Sequence, residues 1–237
     1  MSILFLKGSF EDEGLRDFEV EILSSLSMAK NVPQAFKIGG CEAKTDIERS
    51  LNFGAKCVVA PMVESAFAAS KFIMATDPWM NLLEERNINI ETITAVDNVE
   101  YILKENHKYL SGIVVGRTDL ALSMGLSRSM VDSDIVMEKV EKALIVAKKY
   151  GLTTTMGGSV NINSVHHVAN MFKKNLLDRY ETRKVIMHAS PNEEQLLKNL
   201  SEAFEIEKEF ISRTLINYDL GANAARTRLD SIENRGK

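Results

Sequence analysis

The chain has 237 residues, a formal net charge of −4 and 45% hydrophobic residues. This length suits a single α/β barrel, and such a hydrophobic fraction can fill a large core. No run of Lys and Arg is long enough to form a groove for a phosphate backbone, which argues against a nucleic acid partner. The two cysteines are too few for a disulfide framework. No apolar stretch approaches the ~18 residues of a membrane span, so we expect a cytoplasmic protein without a membrane partner.

Short apolar runs rich in β-branched residues alternate with amphipathic stretches along the chain. The runs that predict strands are 3–9, 35–39, 56–62, 88–91, 112–116, 153–157 and 183–188. The stretches between them carry apolar residues at helical spacing, for example Phe18, Ile22 and Leu26. This alternation predicts a parallel TIM-type (β/α) barrel. Seven strands are visible where a closed barrel needs about eight, so either one strand is cryptic or the barrel departs from the usual pattern.

The chain is expected to form one barrel domain over residues 1–217, followed by a C-terminal tail over 218–237. No linker rich in Pro, Gly and Ser divides it, and it holds only 4 prolines. A long helix is predicted over 192–214, with one strongly apolar face. The tail carries alternating charges and is expected to be either a small docked helix or a frayed end.

Polar residues stand where the predicted strands end, and in a parallel barrel these ends converge on the catalytic face. They include the acidic loop with Glu11 and Asp12, and, further along the chain, Lys37, Glu64, Glu91, Arg117 and Asp119. Acids dominate, which favours a hard cation such as Mg²⁺ or Mn²⁺. A zinc site is not expected, because the adjacent histidines lie in a predicted helix.

Each of these side chains also has a simpler interpretation. Glu91 is either a metal ligand or an acid paired with a neighbouring base. Asp119, judged from the pattern alone, is better explained as the N-cap of the next helix. Arg117 contacts an anionic substrate or forms a salt bridge at the rim. His188, at the end of the last predicted strand, is best explained as a hydrogen-bonded structural histidine.

Two segments resemble the HpcH/HpaI aldolase and citrate lyase family of phosphoenolpyruvate/pyruvate-binding barrels. The sequence Ile-Glu-Thr at 90–92 is followed by Gly-Arg-Thr-Asp-Leu-Ala-Leu-Ser-Met-Gly at 116–125, and Ala-Pro-Met-Val-Glu-Ser at 60–65 precedes both. The resemblance implies that Glu91 and Asp119 hold a divalent Mg or Mn cation, which stabilises an enolate of a 2-oxo acid. It also implies that Gly116, Arg117, Thr118 and Glu64 surround the substrate.

The chain departs from that family at three places. Lys37 stands where the aldolases carry an arginine. The positive charge is kept, but a lysine cannot donate the two parallel hydrogen bonds of a guanidinium. Glu11 and Asp12 stand where the aldolases carry a glutamate–histidine pair. Lys37, Glu11 and Asp12 are therefore the candidate catalytic residues of this chain. Its first visible strand matches the second strand of the family, so the first β/α unit is expected to be absent.

The resemblance implies a metal-dependent carbon–carbon lyase of the class II aldolase type, acting on a 2-oxo acid or a related carboxylate. One alternative is a lyase that acts on a citrate-like molecule or an acyl-CoA thioester, which the Glu11–Asp12 pair favours. Another is a barrel that binds a carboxylate without turnover. We also expect a homo-oligomer. An incompletely closed barrel would expose the unpaired backbone groups of a strand edge, and a second chain could cover them.

Overall fold

The computed structural model describes the backbone of residues 3–235 and the side chains of residues 3–228. Its strands form a closed barrel in chain order. They are β1 Ile3–Ser9, β2 Gln34–Lys37, β3 Ala55–Ala60, β4 Glu85–Asn89, β5 Gly112–Gly116, β6 Thr153–Gly157, β7 Arg179–Glu181 and β8 Val185–His188. The main helices are α1 Asp17–Lys30, α2 Lys44–Asn52, α3 Ala66–Thr76, α4 Ile93–Asn106, α5 Arg117–Ser123, α6 Asp134–Lys149, α7 Val165–Lys173 and α8 Glu193–Arg235. The predicted TIM-type barrel is confirmed.

The last strand runs against the other seven. Strands β1 to β7 pair in parallel, whereas β8 is antiparallel to both β7 and β1. Only residues 182–184 join β7 to β8, and a parallel connection needs about a dozen residues or more. The expectation of parallel strands throughout was therefore wrong for β8. The strand that was not predicted is β7, which has three residues.

The barrel closes without a gap. The position beside β1 is filled by β8, from the C-terminal part of the chain, and within residues 3–235 no strand precedes β1. The barrel thus reaches eight strands through two features. One is the short strand β7, which the sequence pattern did not predict, and the other is the antiparallel strand β8, which closes the barrel against β1.

The reversed strand also reverses the helix that follows it. Because β8 runs back to the opposite end of the barrel, α8 begins there and runs in the same direction as β1 to β7. It packs antiparallel to α1, with Arg213 Nη1 3.3 Å from Ser25 Oγ and the ring centroids of Tyr218 and Phe18 5.2 Å apart. Phe204 and Glu207, in the first half of α8, therefore lie at the end of the barrel where the parallel strands finish.

The secondary structure does not change at the expected boundary between barrel and tail. Helix α8 continues through residue 217 to Arg235. The side chains of residues 215–228 are exposed, so the part of α8 that packs on the barrel ends close to the predicted helix end at 214. Residues 236–237 of the expected tail lie outside the described residues. No helix in the described part of the chain is long and apolar enough to cross a membrane.

The core has two layers with different chemistry. The larger one lies between the outer face of the strands and the helices, and it takes Ile88 and Ile90 from the end of β4. Alternate residues of the same segment, Asn87 and Asn89, face the inside of the barrel. The interior holds a small apolar cluster of Phe5, Ala35, Cys57, Val59, Val114 and Ile186, together with partly buried ion pairs such as Arg179–Glu85. This polar interior positions the candidate site.

Candidate active site

A cavity of about 310 Å³ opens where the parallel strands end. Of the residues expected at the site, six line it: Asp12, Lys37, Glu91, Gly116, Thr118 and Asp119. Glu11 contacts the cavity through Lys37, whereas Glu64 and Arg117 are not among its lining residues. The fold therefore brings most of the expected residues together at one end of the barrel.

Glu91 is the most deeply buried acid of the cavity, with 1% of its surface exposed. Its Oε1 accepts a hydrogen bond from the Met62 backbone N–H at 2.9 Å, and its Oε2 accepts one from Asn89 Nδ2 at 2.7 Å. Burial raises the pKa of Glu91 above its usual value and the charge of Asp119 adds to this, although Lys37 opposes it. A Cβ on Gly116 would lie 2.6 Å from Glu91 Oε2, so a glycine is needed beside this carboxylate.

Lys37 ends β2 and carries the positive charge nearest to Glu91. Its Nζ lies 3.0 Å from Glu11 Oε2 and 3.4 Å from Glu91 Oε2. Burial lowers the pKa of Lys37, but Glu91, Glu11 and Asp119 together outweigh burial and raise that pKa above its usual value. The side chain is therefore a buried ammonium at neutral pH.

Asp119 lies in the first turn of α5 and lines the cavity. Its negative charge raises the pKa of both Glu91 and Lys37, which means that its carboxylate is close to both side chains. The residue at the N-cap of α5 is Gly116. The N-cap interpretation of Asp119 was therefore wrong, because the helix begins three residues earlier than that interpretation requires.

The polar groups of the cavity fit a hard divalent cation. Glu91 and Asp119 supply carboxylates, and the buried Oδ1 of Asn89 has no hydrogen-bond partner among the described side chains. Oxygen donors of this kind are the ligands that Mg²⁺ and Mn²⁺ prefer. Residues 3–228 contain no group of three or more His, Cys, Asp or Glu placed to hold a metal. A cation here would take its other ligands from substrate and water, as protein-bound Mg²⁺ commonly does.

Arg117 is fully buried and does not face the cavity. Its guanidinium pairs with Asp132 and donates to the Gly157 and Gly158 carbonyl oxygens at 3.1 and 3.0 Å. The expected substrate contact of this side chain is therefore not found, and the alternative of a salt bridge is correct. Arg117 instead ties the loop after β6 to the start of α5, where Asp119 lies.

Glu64 and His188 lie away from the cavity, whereas Asp12 lines it and is paired there. Glu64 Oε1 accepts a hydrogen bond from the Thr92 hydroxyl at 2.5 Å, at the start of α4 and outside the cavity lining. Asp12 pairs with Arg183 at 3.3 Å. Because β8 is antiparallel, His188 lies at the opposite end of the barrel, beside a separate surface pocket.

Sequence reasoning missed several polar residues of the cavity, among them Lys7, Asn89 and Glu181. Lys7 on β1 and Glu181 on β7 form an ion pair inside the barrel. The alternation of Asn87, Asn89 and Glu91 with isoleucines was a signal for inward-facing polar residues. Glu181 had no comparable signal, because β7 is too short to show a period.

Comparisons with known proteins agree with this architecture. The family model described as HpcH/HpaI aldolase/citrate lyase matches residues 40–174, which include Glu91 and Asp119 and exclude Lys37. No curated protein matches the chain.

Several solved structures have the same fold. An HpcH/HpaI aldolase from Desulfitobacterium hafniense is 16% identical, with a TM-score of 0.60, and the match covers 86% of this chain and 83% of the other. A family protein from Burkholderia cenocepacia is 14% identical, with a TM-score of 0.59 and coverages of 85% and 84%.

A citrate lyase beta subunit from M. tuberculosis, solved with oxaloacetate and magnesium, is 15% identical, with a TM-score of 0.53 and coverages of 73% and 78%. Identities this low establish the fold alone, whereas the family model spans more than half of the chain. This chain is therefore a member of the HpcH/HpaI aldolase/citrate lyase family.

Proposed function

We propose that the protein is a carbon–carbon lyase that depends on a divalent cation and acts on a 2-oxo acid. The observation that carries this proposal is the buried Glu91 carboxylate, which shares a cavity with Asp119 and with the unpartnered Oδ1 of Asn89. Two acids whose charges disfavour each other are stabilised by a cation between them. The magnesium in the citrate lyase beta subunit from M. tuberculosis supports the same choice of metal.

The residues of the cavity suit a small anionic substrate. A cation held by Glu91 and Asp119 would act as a Lewis acid that polarises the oxygen atoms of the 2-oxo acid. The Lys37 ammonium adds a fixed positive charge beside them, suited to a substrate carboxylate. Thr118 supplies a hydroxyl at the cavity wall, 2.9 Å from that of Ser159. A volume of about 310 Å³ is enough for such a substrate.

The experiment that tests this proposal combines metal binding with turnover. Calorimetric titration with Mn²⁺ should show one site in the wild-type protein that is lost in Asp119→Ala. Asp97→Asn is the matched control, since Asp97 lies on the exposed side of α4 and pairs with Lys142. Oxaloacetate decarboxylation should require Mn²⁺ or Mg²⁺ and should fail in Asp119→Ala. Equal Mn²⁺ affinity in Asp119→Ala and wild type would refute the metal assignment.

The same assays separate the alternatives. Cleavage of a citrate-like or acyl-CoA thioester without oxaloacetate decarboxylation would assign the protein to the thioester lyases. Binding of pyruvate or oxalate without turnover of any of these compounds would make it a carboxylate-binding barrel.

A further inference from the structure

The cavity contains a second acid–base pair that the metal chemistry does not use. Lys7 on β1 and Glu181 on β7 form an ion pair across the barrel interior, and both side chains line the cavity that holds Glu91. The side chain of Glu181 is 6% exposed and that of Lys7 is 15% exposed. The pair is therefore shielded from bulk water while it still faces the substrate space.

One oxygen of Glu181 is left without a partner. Lys7 donates to Oε1, whereas the buried Oε2 has no hydrogen-bond partner among the described residues. A buried carboxylate oxygen without a donor is costly unless something else binds there. Lys7 fixes the orientation of the carboxylate through Oε1, and the hydrogen-bonding capacity of Oε2, in a side chain that lines the cavity, is unused.

The neighbouring strand makes room for this side chain. Gly157 ends β6, and a Cβ at that position would lie 2.9 Å from both Cγ and Oε1 of Glu181. Any other residue at 157 would push the glutamate away from its present position. The same strand end pairs with Gly116 of β5, which in turn makes room for Glu91. Two glycines thus place two carboxylates on the cavity wall.

The acids of the loop after β1 are already occupied. Glu11 pairs with Lys37, and Asp12 pairs with Arg183. Glu13 Oε2 accepts hydrogen bonds from Lys184 Nζ at 2.7 Å and from the Ser9 backbone N–H at 3.2 Å. These contacts make the acidic loop after β1, which holds the candidate catalytic residues Glu11 and Asp12, poorly suited to accept a proton from a substrate.

We propose that Glu181 is the general base of this site and that Lys7 positions it. This inference rests on the proposed function and names the group that transfers the proton. Oε2 of Glu181 takes a proton from C3 of a bound 2-oxo acid such as pyruvate. The C–H electron pair forms the C2–C3 double bond, and the carbonyl π electrons move to the C2 oxygen, which gives an enolate. In the reverse direction the Glu181 carboxylic acid returns the proton to C3 and becomes a carboxylate again.

The test compares two reactions that differ in their need for a base. Exchange of the pyruvate C3 protons for deuterium in D₂O, followed by NMR with Mg²⁺ present, requires proton abstraction from carbon. Loss of oxaloacetate by decarboxylation breaks a C–C bond and requires none. In Glu181→Gln the exchange rate should fall by about 10²-fold or more, whereas decarboxylation and calorimetric Mn²⁺ binding should persist. The glutamine keeps an oxygen for Lys7 but cannot accept the proton.

Glu85→Gln is the matched control, because Glu85 forms another interior ion pair, with Arg179, and does not line the cavity. It should exchange pyruvate protons at the wild-type rate. If Glu181→Gln does not fold by circular dichroism, the double variant Lys7→Met with Glu181→Gln removes both charges and should give the same loss of exchange.

The two proposals fail in different ways. Wild-type exchange in Glu181→Gln would overturn the assignment of Glu181, as would a wild-type protein that decarboxylates oxaloacetate but never exchanges pyruvate protons. A wild-type protein that does neither reaction would instead overturn the proposed function.

Discussion

The Nζ atom of Lys37 lies 3.4 Å from Oε2 of Glu91, within the barrel and beside a second acid, Glu11. An amine held as an ammonium between carboxylates has no free lone pair for attack on a carbonyl carbon. We therefore predict that Lys37 binds the substrate through its charge and forms no Schiff base. Borohydride reduction in the presence of pyruvate, followed by mass spectrometry, should leave Lys37 unmodified. A reduced pyruvyl adduct on Lys37 would show a class I aldolase mechanism instead.

The contact between the loop after β6 and α5 leads to a second prediction. Gly158 has φ +80°, and a Cβ there would lie 2.5 Å from the backbone nitrogens of Arg117 and Thr118. Gly158→Ala should displace the start of α5 and with it Asp119, so that Mn²⁺ affinity falls by about 10-fold or more. Gly151→Ala is the control, because Gly151 has a similar φ of +72° but open space around it. Both variants should lose about 1–3 kcal/mol of stability to strain, and equal Mn²⁺ affinities would contradict the prediction.

The interior ion pair between Glu85 and Arg179 predicts a pH effect on stability. Burial would raise the pKa of Glu85, but the hydrogen bonds and charge of Arg179 outweigh it and lower that pKa below the usual 4.5. A carboxyl with a lowered pKa in the folded state stabilises the protein above pH 4.5 and loses that contribution as the pH falls through its folded pKa. In Glu85→Gln the free energy of unfolding from urea titrations should therefore depend less on pH below 4.5. If the unfolding free energies of Glu85→Gln and of the wild type depend equally on pH below 4.5, then Arg179 does not lower the pKa of Glu85 in the folded protein.

The exposed part of α8 supports the expected homo-oligomer. Leu215, Ile216 and Leu220 of α8 are 58%, 59% and 62% exposed. Such apolar side chains are typical of a surface that a second chain covers. Light scattering at micromolar concentration should give a multiple of 26.5 kDa. Truncation before Tyr218 should reduce that mass, and a wild-type mass of a single chain would rule out the assembly.

The sequence allowed prediction of the barrel from local patterns, whereas the candidate metal ligands at one end of it were named through the family resemblance. Residues 112–116 and 153–157 were predicted as strands with the bounds that the structure has. Glu91 was suggestive by itself because its charge ends an apolar run, whereas Asp119 was assigned as a metal ligand only through the family resemblance. The direction of β8 was not predicted, since an apolar run of four residues looks the same whichever way it runs.

Side-chain roles that depend on distant partners were harder to predict. Arg117 was placed on the correct segment, but its burial depends on Asp132 and on a loop 40 residues further along the chain. Glu181 was missed because its partner Lys7 lies 174 residues away in sequence. Contacts across a closed barrel join strands from the two ends of the chain, and such contacts cannot be predicted from local patterns in the sequence.

The antiparallel closing strand has a consequence for chain connectivity. In an all-parallel barrel the first strand starts, and the last helix finishes, at the same end of the cylinder, so a short peptide can bridge them. Here β1 starts at one end while α8, reversed by β8, finishes at the other. A circular permutant of this barrel would need a linker that spans its full height.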